Sequence, residues 1–227
     1  MTGTLINVGT VIAGTAVGMT LKGRMPERIG TIVMQGVGLF TLFLGFNMAQ
    51  EGKNLLVVLF SVVLGAIIGE ALDLEARLDA LGRHLERRFA GGGGGGNFTK
   101  GFVMASILFC VGPMTIVGAI EDGLRGNYQI LLTKAIMDGF SSIAFGSTLG
   151  IGVGFSALVI LVYQGAITLA AASARAFLSD PAIAAMTGAG GLMIIGIGIN
   201  LLELKKVRVG NMLPALVIAV ILGRIFG

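Results

Sequence analysis

The sequence has little charge for its length. Asp, Glu, Lys and Arg make up 12% of the 227 residues, whereas soluble globular domains carry about 25%. Hydrophobic residues make up 55% of the chain, and the mean hydropathy is +0.93. This composition excludes an ordinary soluble enzyme or binding domain. It indicates an integral membrane protein.

Cysteine and histidine are almost absent. The single cysteine, Cys110, cannot form an intramolecular disulfide, and the single histidine, His84, lies outside the apolar runs. A Cys/His metal site is therefore not expected, and neither is a cofactor. The apolar runs contain no serine–histidine, cysteine–histidine or metal-ligand group of the kind that intramembrane catalysis needs. The sequence therefore predicts a protein that is not an enzyme.

Long apolar runs are plentiful. A helix of about 20 apolar residues crosses a hydrocarbon core of about 30 Å, and runs of that length recur along the whole chain without the alternation of barrel strands. We predict an all-α, polytopic helix bundle in a single transmembrane domain, 1–227. Its eight spans lie near 4–21, 29–49, 54–72, 101–120, 129–150, 153–174, 182–202 and 208–226. Seven is the alternative count, because only GIGVGF separates the fifth and sixth runs.

The basic residues predict the orientation. With the N-terminus outside, eleven Lys and Arg residues face the cytoplasm and four face out, and Lys134 lies within a span. This bias follows the positive-inside rule. The formal net charge of +4 comes from residues that flank apolar segments, so we expect contact with anionic lipid and no nucleic-acid partner.

A charged segment separates the third and fourth spans. Within residues 73–90, Leu74, Leu78, Leu81 and Leu85 recur at helical spacing with charges between them, which predicts an amphipathic cytoplasmic helix. The run Gly91–Gly96 follows, and six residues without side chains predict a flexible linker. A phosphate-binding loop is not expected, because no Lys-Ser or Lys-Thr follows the glycines.

Two segments resemble each other. MQGVGLFTLFLGFN at 34–47 is similar to MTGAGGLMIIGIGIN at 186–200, and spans containing IIGE (67–70) and ILGR (221–224) follow them. The two hairpins begin at the second and seventh spans, so they cross the membrane in opposite directions. This pattern predicts an inverted repeat, which is a recurring plan in transporters.

Pairs of small residues four apart occur in four spans. They are Gly14/Gly18, Gly65/Gly69, Gly146/Gly150 and Ala219/Gly223. Such pairs let helix backbones approach closely. They indicate either tight packing within one protomer or the interface of a homo-oligomer.

The fourth span contains a helix breaker. Gly112 and Pro113 lie roughly 18 Å along it at 1.5 Å per residue. Proline removes one backbone hydrogen bond, so carbonyls near Phe109 and Cys110 are expected to be free. The interpretations are an ordinary kink or an opening of the backbone toward a polar pathway, to which Thr115 contributes a hydroxyl or bonds back to its own helix. Glu121 and Asp122 end the span either as acids that attract cations or as solvated loop acids.

The fifth span contains a pair of opposite charges. Lys134 and Asp138 are four residues apart on one helix face, and Ser141 and Ser142 add hydroxyls one turn later. Asp138 lies roughly 14 Å deep by helix rise, in the layer of the Gly112–Pro113 break. Ionisable groups within a bilayer are costly and mark candidate pathways. The alternative is a structural ion pair that holds helices together.

The segments CVGPMTIVGAIEDGLRGN, LLTKAIMDGFSSIAFGSTLGIGVGFSA and YQGAITL resemble the bacterial domain-of-unknown-function family that includes YdfK and YqgA. The resemblance covers nearly the whole chain. It implies a multi-pass protein of the prokaryotic inner membrane, and it assigns no substrate and no functional residue.

Together these features predict a transporter or permease for a small polar solute or a monovalent cation, with its site near the bilayer midplane between the fourth and fifth spans. A passive ion channel is the alternative. A structural membrane protein and an intramembrane enzyme are weaker interpretations.

Overall fold

The structure, a computed structural model, describes residues 1–22, 27–89, 97–110, 113–171, 173 and 178–226. Regular structure in these ranges is helical, without strands. The helices are α1 (Thr2–Lys22), α2 (Glu27–Gln50), α3 (Leu55–Ala71), α4 (Leu74–Phe89), α5 (Asn97–Cys110), α6 (Pro113–Arg125), α7 (Gln129–Leu149), α8 (Gly152–Leu169), α9 (Asp180–Leu201) and α10 (Pro214–Phe226), with a 3-10 turn at Val209–Met212. The predicted all-α class is confirmed.

The helix ends follow local sequence signals. Asn54 precedes α3, and its side chain accepts a hydrogen bond from the backbone N–H of Val57 at 3.2 Å, as an N-cap residue does. Pro181 and Pro214 lie at the starts of α9 and α10, where the missing N–H has no helical partner to lose. Gly150 ends α7 with a φ of 81°, a conformation that favours glycine.

Several helices are long and apolar enough to cross a membrane. Four helical segments meet this length and composition criterion on their own: Thr2–Leu21, Gly152–Leu169, Asp180–Leu201 and Val209–Phe226. Two bent pairs meet the same criterion jointly: α3 with the start of α4, at 60°, and α5 with α6, at 62°. The described part of the chain therefore has four to six candidate spans. This confirms a helical membrane protein. The count of eight spans stays a prediction.

The chain forms two compact units. Unit 1 comprises Met1–Met34, Asp79–Cys110 and Met114–Ala174, and unit 2 comprises Gln35–Leu78, Val111–Pro113 and Arg175–Gly227. Each unit is described by itself below. The predicted single domain, 1–227, stays a prediction.

In unit 1, α1 packs parallel to α7. Gly3 lies against the side chain of Leu131 near the starts of both helices, and Gly18 lies against the backbone of Ile143 near their ends. A Cβ atom on Gly18 would collide with that backbone. Glycine is therefore required for the close approach of the two helices.

Helix α8 runs antiparallel to α1 in the same unit. The hydroxyls of Thr4 and Thr168 are 3.3 Å apart, and Thr15 contacts Gly154. Both α7 and α8 therefore present their side chains to α1. This three-helix interface positions the candidate site.

Unit 2 contains both hairpins of the predicted repeat. Helices α3 and α10 are antiparallel, because Gly65 lies against Ala215 and Gly69 lies against the backbone of Asn211. The helices that precede them are also antiparallel: Gly38 of α2 contacts Leu202, and Gly45 contacts Ile195 of α9. The two hairpins thus pair helix by helix in opposite directions.

The predicted pairs of small residues pack within the chain. Gly14 faces Gly139, and Gly146 faces the backbone of Thr15. In unit 2, Gly223 contacts Ala182. At each of these glycines the neighbouring atoms belong to another helix of the same protomer. The homo-oligomer stays a prediction.

A helix occupies most of the predicted segment 73–90. It begins after Asp73, whose φ of 48° is left-handed, and the backbone N–H of Glu75 donates to the side chain of Asn211 at 2.6 Å. The helical state at Leu74–Phe89 agrees with the prediction. Its amphipathic and cytoplasmic character stays a prediction, and the run Gly91–Gly96 lies outside the described residues.

Candidate functional site

The centre of the candidate site is an ion pair on α7. Lys134 and Asp138 are four residues apart, and the ammonium of Lys134 donates to the carboxylate of Asp138. Lys134 is 6% exposed and Asp138 is 8% exposed. One turn further, Ser142 is fully buried on the same face. Spacings of four place all three side chains on one stripe of α7.

The second partner of Asp138 comes from α1. The amide Nδ2 of Asn7 donates to Oδ2 of Asp138 at 3.1 Å, and it also donates to Oε1 of Gln164 on α8 at 3.2 Å. Asn7 and Gln164 are both fully buried. A single amide group therefore joins three helices at the level of the ion pair.

The hydrogen bonds continue from Gln164 toward the start of α1. Nε2 of Gln164 donates to the hydroxyl of Thr4 at 3.1 Å. Thr168 donates its hydroxyl hydrogen to the backbone carbonyl of Gln164 at 2.9 Å, so Thr4 is the donor in the 3.3 Å bond between the two threonines. We call the residues Thr4, Asn7, Lys134, Asp138, Gln164 and Thr168 the polar column.

The side-chain amide of Asn7 is only partly hydrogen-bonded among the described residues. Both contacts of Asn7 Nδ2 are acceptors, so the network fixes the orientation of the amide. The oxygen Oδ1 then meets no donor among the described residues. The hydroxyl of Ser142 is likewise buried and unpartnered in this part of the chain.

The chain can hold this polar column because α1 and α7 approach closely. Gly14 and Gly18 of α1 lie against the backbone of α7 at Gly139 and Ile143. Short distances between backbones let the small amide of Asn7 reach Asp138. Within low-dielectric surroundings the two charges attract strongly, and each would be costly alone.

Cys110, which ends α5, lies within electrostatic range of Lys134 and Asp138. The sequence placed the site between the fourth and fifth spans. In the structure the described hydrogen-bond partners of Asp138 come from α7 and α1, and the polar column continues onto α8.

The proline break frees the carbonyl that the sequence indicated. Pro113 has no N–H for the carbonyl of Phe109, four residues earlier. The buried hydroxyl of Thr115 donates to this carbonyl at 3.3 Å, so Thr115 bonds back to its own helix pair. Gly112 lies outside the described residues.

The two acids that end α6 differ. Asp122 is 5% exposed and accepts from the backbone N–H of Gly3 at 3.1 Å, with the Met1 amino group at 3.0 Å. It therefore holds the start of α1, which neither expectation included. Glu121 pairs with exposed Arg125 at 3.3 Å. Ser141 is half-buried, beside the stripe that Ser142 extends.

Sequence reasoning missed most partners of the ion pair. Asn7, Thr4 and Thr168 were not singled out from the sequence. The available signal was the spacing of polar residues inside apolar runs, three apart in α1 and four apart in α8. These spacings place each pair on one helix face.

Unit 2 contains a separate cleft of about 620 Å³. Its lining is mostly apolar, with Leu55, Leu56 and Phe226 among the exposed side chains. Two charged residues also line it: Lys53 lies two residues before α3, and Asp180 begins α9. None of its described lining residues is a buried polar side chain of the kind that forms the polar column.

Comparisons with known proteins agree with the membrane class. The chain is 32% identical over 222 residues to the "Uncharacterized membrane protein YdfK" of Bacillus subtilis, covering 96% of this chain and 93% of the relative. It is 31% identical over 224 residues to the "Uncharacterized protein YqgA" of Escherichia coli, covering 96% and 94%. No solved structure gives a significant match. A model of the family "Protein of unknown function (DUF554)" matches residues 2–223, and the chain belongs to that family.

Proposed function

We propose that the protein is a membrane transporter for a small polar solute or an ion, and that the polar column is its binding site. The observation that carries this proposal is the buried Lys134–Asp138 pair in the middle of α7, joined through Asn7 to a third helix. Ionisable groups within membrane spans characteristically mark substrate or ion pathways.

The energetics favour a functional pair over a purely structural one. Well-packed apolar residues can replace a buried ion pair at little or no loss of stability. The glycines of α1 already bring the helices together through backbone contacts. Lys134 and Asp138 are therefore not needed for the packing of α1 on α7, and binding of a solute accounts for their presence.

We also propose the eight-span topology in the prokaryotic inner membrane, with 73–100 in the cytoplasm. Helix directions within each unit support it. Spans one and five run the same way in this topology, as α1 and α7 do, and spans one and six run oppositely, as α1 and α8 do. α2 and α7, which do not qualify as spans singly, have 24 and 21 residues. Either helix is long enough for a hydrocarbon core of about 30 Å.

Unit 2 supports the inverted repeat. The antiparallel pairs α2/α9 and α3/α10 join matching helices of the two hairpins. A twofold axis in the membrane plane relates such hairpins when they are inverted repeats. Cross-links between cysteines introduced at Gly38 and Leu202 are expected in membranes. The outcome against this arrangement is cross-linking of Gly38 to residues near the start of α9 instead.

Labelling in intact cells tests the orientation. A cysteine introduced at Arg83 in α4 is expected to react with a membrane-impermeant maleimide only after the membrane has been permeabilised. A cysteine at Lys53 is the matched outside position and is expected to react in intact cells. Strong labelling at position 83 in intact cells contradicts the proposed topology.

Uptake into proteoliposomes tests the function. The purified protein is reconstituted, and uptake is measured for a panel of amino acids, organic acids and monovalent cations. We expect uptake of at least one member, and its loss in the Lys134→Met, Asp138→Leu double variant. Thr187→Val in unit 2, which removes a buried hydroxyl that donates to its own helix, is the control and is expected to transport normally. Full activity of the double variant, or no uptake of any member by the unmodified protein, overturns the proposal.

A further inference from the structure

The cleft of unit 2 lies where three helix ends meet. Helix α3 begins at Leu55, and α10, antiparallel to it, ends at Phe226. The side-chain amide of Asn54 donates to the backbone carbonyl of Phe226 at 3.2 Å, which holds these two ends together. The start of α9 lies beside them, because Gly223 of α10 packs against Ala182. Residues of all three ends line the cleft of about 620 Å³.

The walls of the cleft are apolar and face outward. Leu55, Leu56 and Phe226 line it and are exposed, and Pro181 and Ala184 form the wall on α9. Helix α9 and the segment that contains α10 are candidate membrane spans, so side chains exposed on them face acyl chains in a bilayer. The cleft is therefore open to hydrocarbon along the helices.

A positive charge lies at the end of this apolar wall. Lys53 is exposed and precedes α3 by two residues, so it lies where the apolar helix ends and the membrane surface begins. Among the described residues no acid forms an ion pair with Lys53. The other charged lining residue, Asp180, is engaged in a polar interaction of its own. Lys53 is therefore the charged group that a ligand of this cleft meets.

We propose that the cleft binds a phospholipid, with an acyl chain along the apolar wall and the phosphate on Lys53. A phospholipid carries its negative phosphate directly above its chains, and Lys53 lies above the apolar wall in the same order. A basic residue at the membrane surface attracts anionic lipid headgroups. A soluble anion would pair with Lys53 and leave the apolar wall uncovered, so the lipid complements more of the cleft.

The start of α3 adds to the attraction for phosphate. Leu55 and Leu56 line the cleft and belong to the first turn of the helix, whose first N–H groups have no acceptor within the helix. The positive end of the helix dipole lies there too. In the proposed eight-span topology this end of unit 2 faces outward, so the lipid comes from the outer leaflet of the membrane.

Native mass spectrometry of the delipidated protein in detergent measures the binding. The protein is titrated with phosphatidylglycerol and with two partial ligands. Diacylglycerol with the same chains lacks the phosphate, and glycerol 3-phosphate lacks the chains. We expect saturable binding of phosphatidylglycerol, weaker binding of diacylglycerol, and no binding of glycerol 3-phosphate at the same concentrations.

Lysine variants test the contact with phosphate. Lys53→Gln is expected to weaken the binding of phosphatidylglycerol about fivefold and to leave the binding of diacylglycerol unchanged. Lys53→Arg keeps the charge and is expected to bind nearly as the unmodified protein does. Lys205→Gln removes another exposed lysine of unit 2, and this control is expected to bind normally.

Filling the cleft tests the apolar wall. Ala184→Leu places a larger side chain in the space of the acyl chain, so it is expected to weaken the binding of both phosphatidylglycerol and diacylglycerol several-fold. Ala13→Leu, on the exposed face of α1 in unit 1, is the matched control and is expected to change neither. Thermal unfolding in detergent shows whether each variant is folded. If Ala184→Leu does not fold, the lysine variants still decide the proposal.

Three outcomes overturn the proposal. Binding of phosphatidylglycerol that Lys53→Gln does not weaken describes lipid adsorbed elsewhere on the protein. Equal binding of phosphatidylglycerol and diacylglycerol by the unmodified protein means that the cleft does not recognise phosphate. Binding of glycerol 3-phosphate as tight as that of the lipid assigns the cleft to a soluble anion. None of these outcomes affects the proposed transport function, because the residues that line the cleft do not belong to the polar column.

Discussion

The two units use the same packing and place their polar side chains differently. Both bring helices together at glycines, at Gly14 and Gly18 in unit 1 and at Gly65 and Gly69 in unit 2. In unit 1 a series of hydrogen-bonded polar side chains lies in the interface between α1, α7 and α8. Close packing at glycines therefore occurs in both units, and the buried polar column is the feature that distinguishes unit 1, where we propose the site.

The described polar contacts that join different segments of unit 2 lie at the ends of its helices, and its buried hydroxyls at Thr41, Ser61 and Thr187 bond back to their own helices. Asn211 donates to Glu70 at 2.7 Å and accepts from the backbone N–H of Glu75 at 2.6 Å. Arg208 pairs with Glu70 at 2.6 Å. Asn200 exchanges two hydrogen bonds with the backbone of Val207. The bond to Glu75 satisfies a backbone N–H at the start of α4, and the others hold helix ends and the loop before Val209 in place. Asn7 and Asp138, in contrast, lie within helices.

The largest effect is expected from removing one charge in unit 1. Lys134→Met leaves Asp138 buried without its cation, so we expect a loss of about 3–5 kcal/mol in the free energy of unfolding. The measurement is unfolding in mixed detergent micelles. The second change, Asp138→Leu, is expected to restore most of the stability.

Arg125→Met is the control for this charge. Its pair with Glu121 is exposed, so its loss is expected to change stability by less than about 1 kcal/mol. Equal effects of Lys134→Met and Arg125→Met would contradict the burial of the first pair.

The next effect is expected to be equal in both units. Gly18→Ala and Gly65→Ala each place a Cβ atom against a neighbouring backbone, and overpacking of this kind costs about 1–3 kcal/mol. Gly9→Ala and Gly36→Ala are matched controls, because nothing lies within 4 Å of their added Cβ atoms. We expect these controls to raise stability by up to about 1 kcal/mol, the gain in helix propensity. Melting temperatures that do not separate the two sets would contradict the close approach.

A smaller loss of stability is expected from removing one buried amide in each unit, and only the loss in unit 1 is expected to reduce transport. Asn7→Ala and Asn211→Ala each remove two hydrogen bonds made by a buried amide, at about 1–2 kcal/mol. We expect comparable losses of stability. Uptake by proteoliposomes is expected to fall strongly for Asn7→Ala only. A transport loss confined to Asn211→Ala would place the site in unit 2.

The smallest effect is expected from single hydroxyls. Thr168→Val removes the acceptor for Thr4, and hydrogen bonds between membrane helices average about 0.6 kcal/mol. Thr187→Val of unit 2 removes a bond to the carbonyl of Ile183 in the same helix, and we expect it to be nearly neutral. A double-variant cycle with Thr4→Val measures the first value. A coupling of zero would contradict the contact of α1 with α8.

Local patterns predicted much of this fold. Apolar runs near 4–21 and 182–202 gave helices at Thr2–Lys22 and Asp180–Leu201, because the length and composition of a span are local properties. The spacing of four residues predicted that Lys134 meets Asp138. The missing N–H of Pro113 likewise predicted a freed carbonyl near Phe109, the one that Thr115 satisfies.

The partners of the ion pair were not predictable in the same way. Asn7 meets Asp138 only because α1 packs parallel to α7, and 131 residues separate these two in the chain. No local pattern encodes which distant helices become neighbours. The polar residues of α1 and α8 were visible, but the long-range pairing that joins them was not.

The pairing of Lys134 with Asp138 inside one helix has a consequence for biosynthesis. A lysine or an aspartate at the centre of an inserting helix costs about 2.5–3.5 kcal/mol. In the proposed eight-span topology α7 is the fifth span. Because its two charges are four residues apart, it carries the counter-ion of Asp138 with it and enters the lipid as a nearly neutral segment. The helix therefore does not depend on a neighbour for charge neutrality while it leaves the translocon. Asn7 is synthesised well before α7 and binds the carboxylate of Asp138 only when α1 packs on α7. The site is therefore completed when the helices assemble and not when they insert.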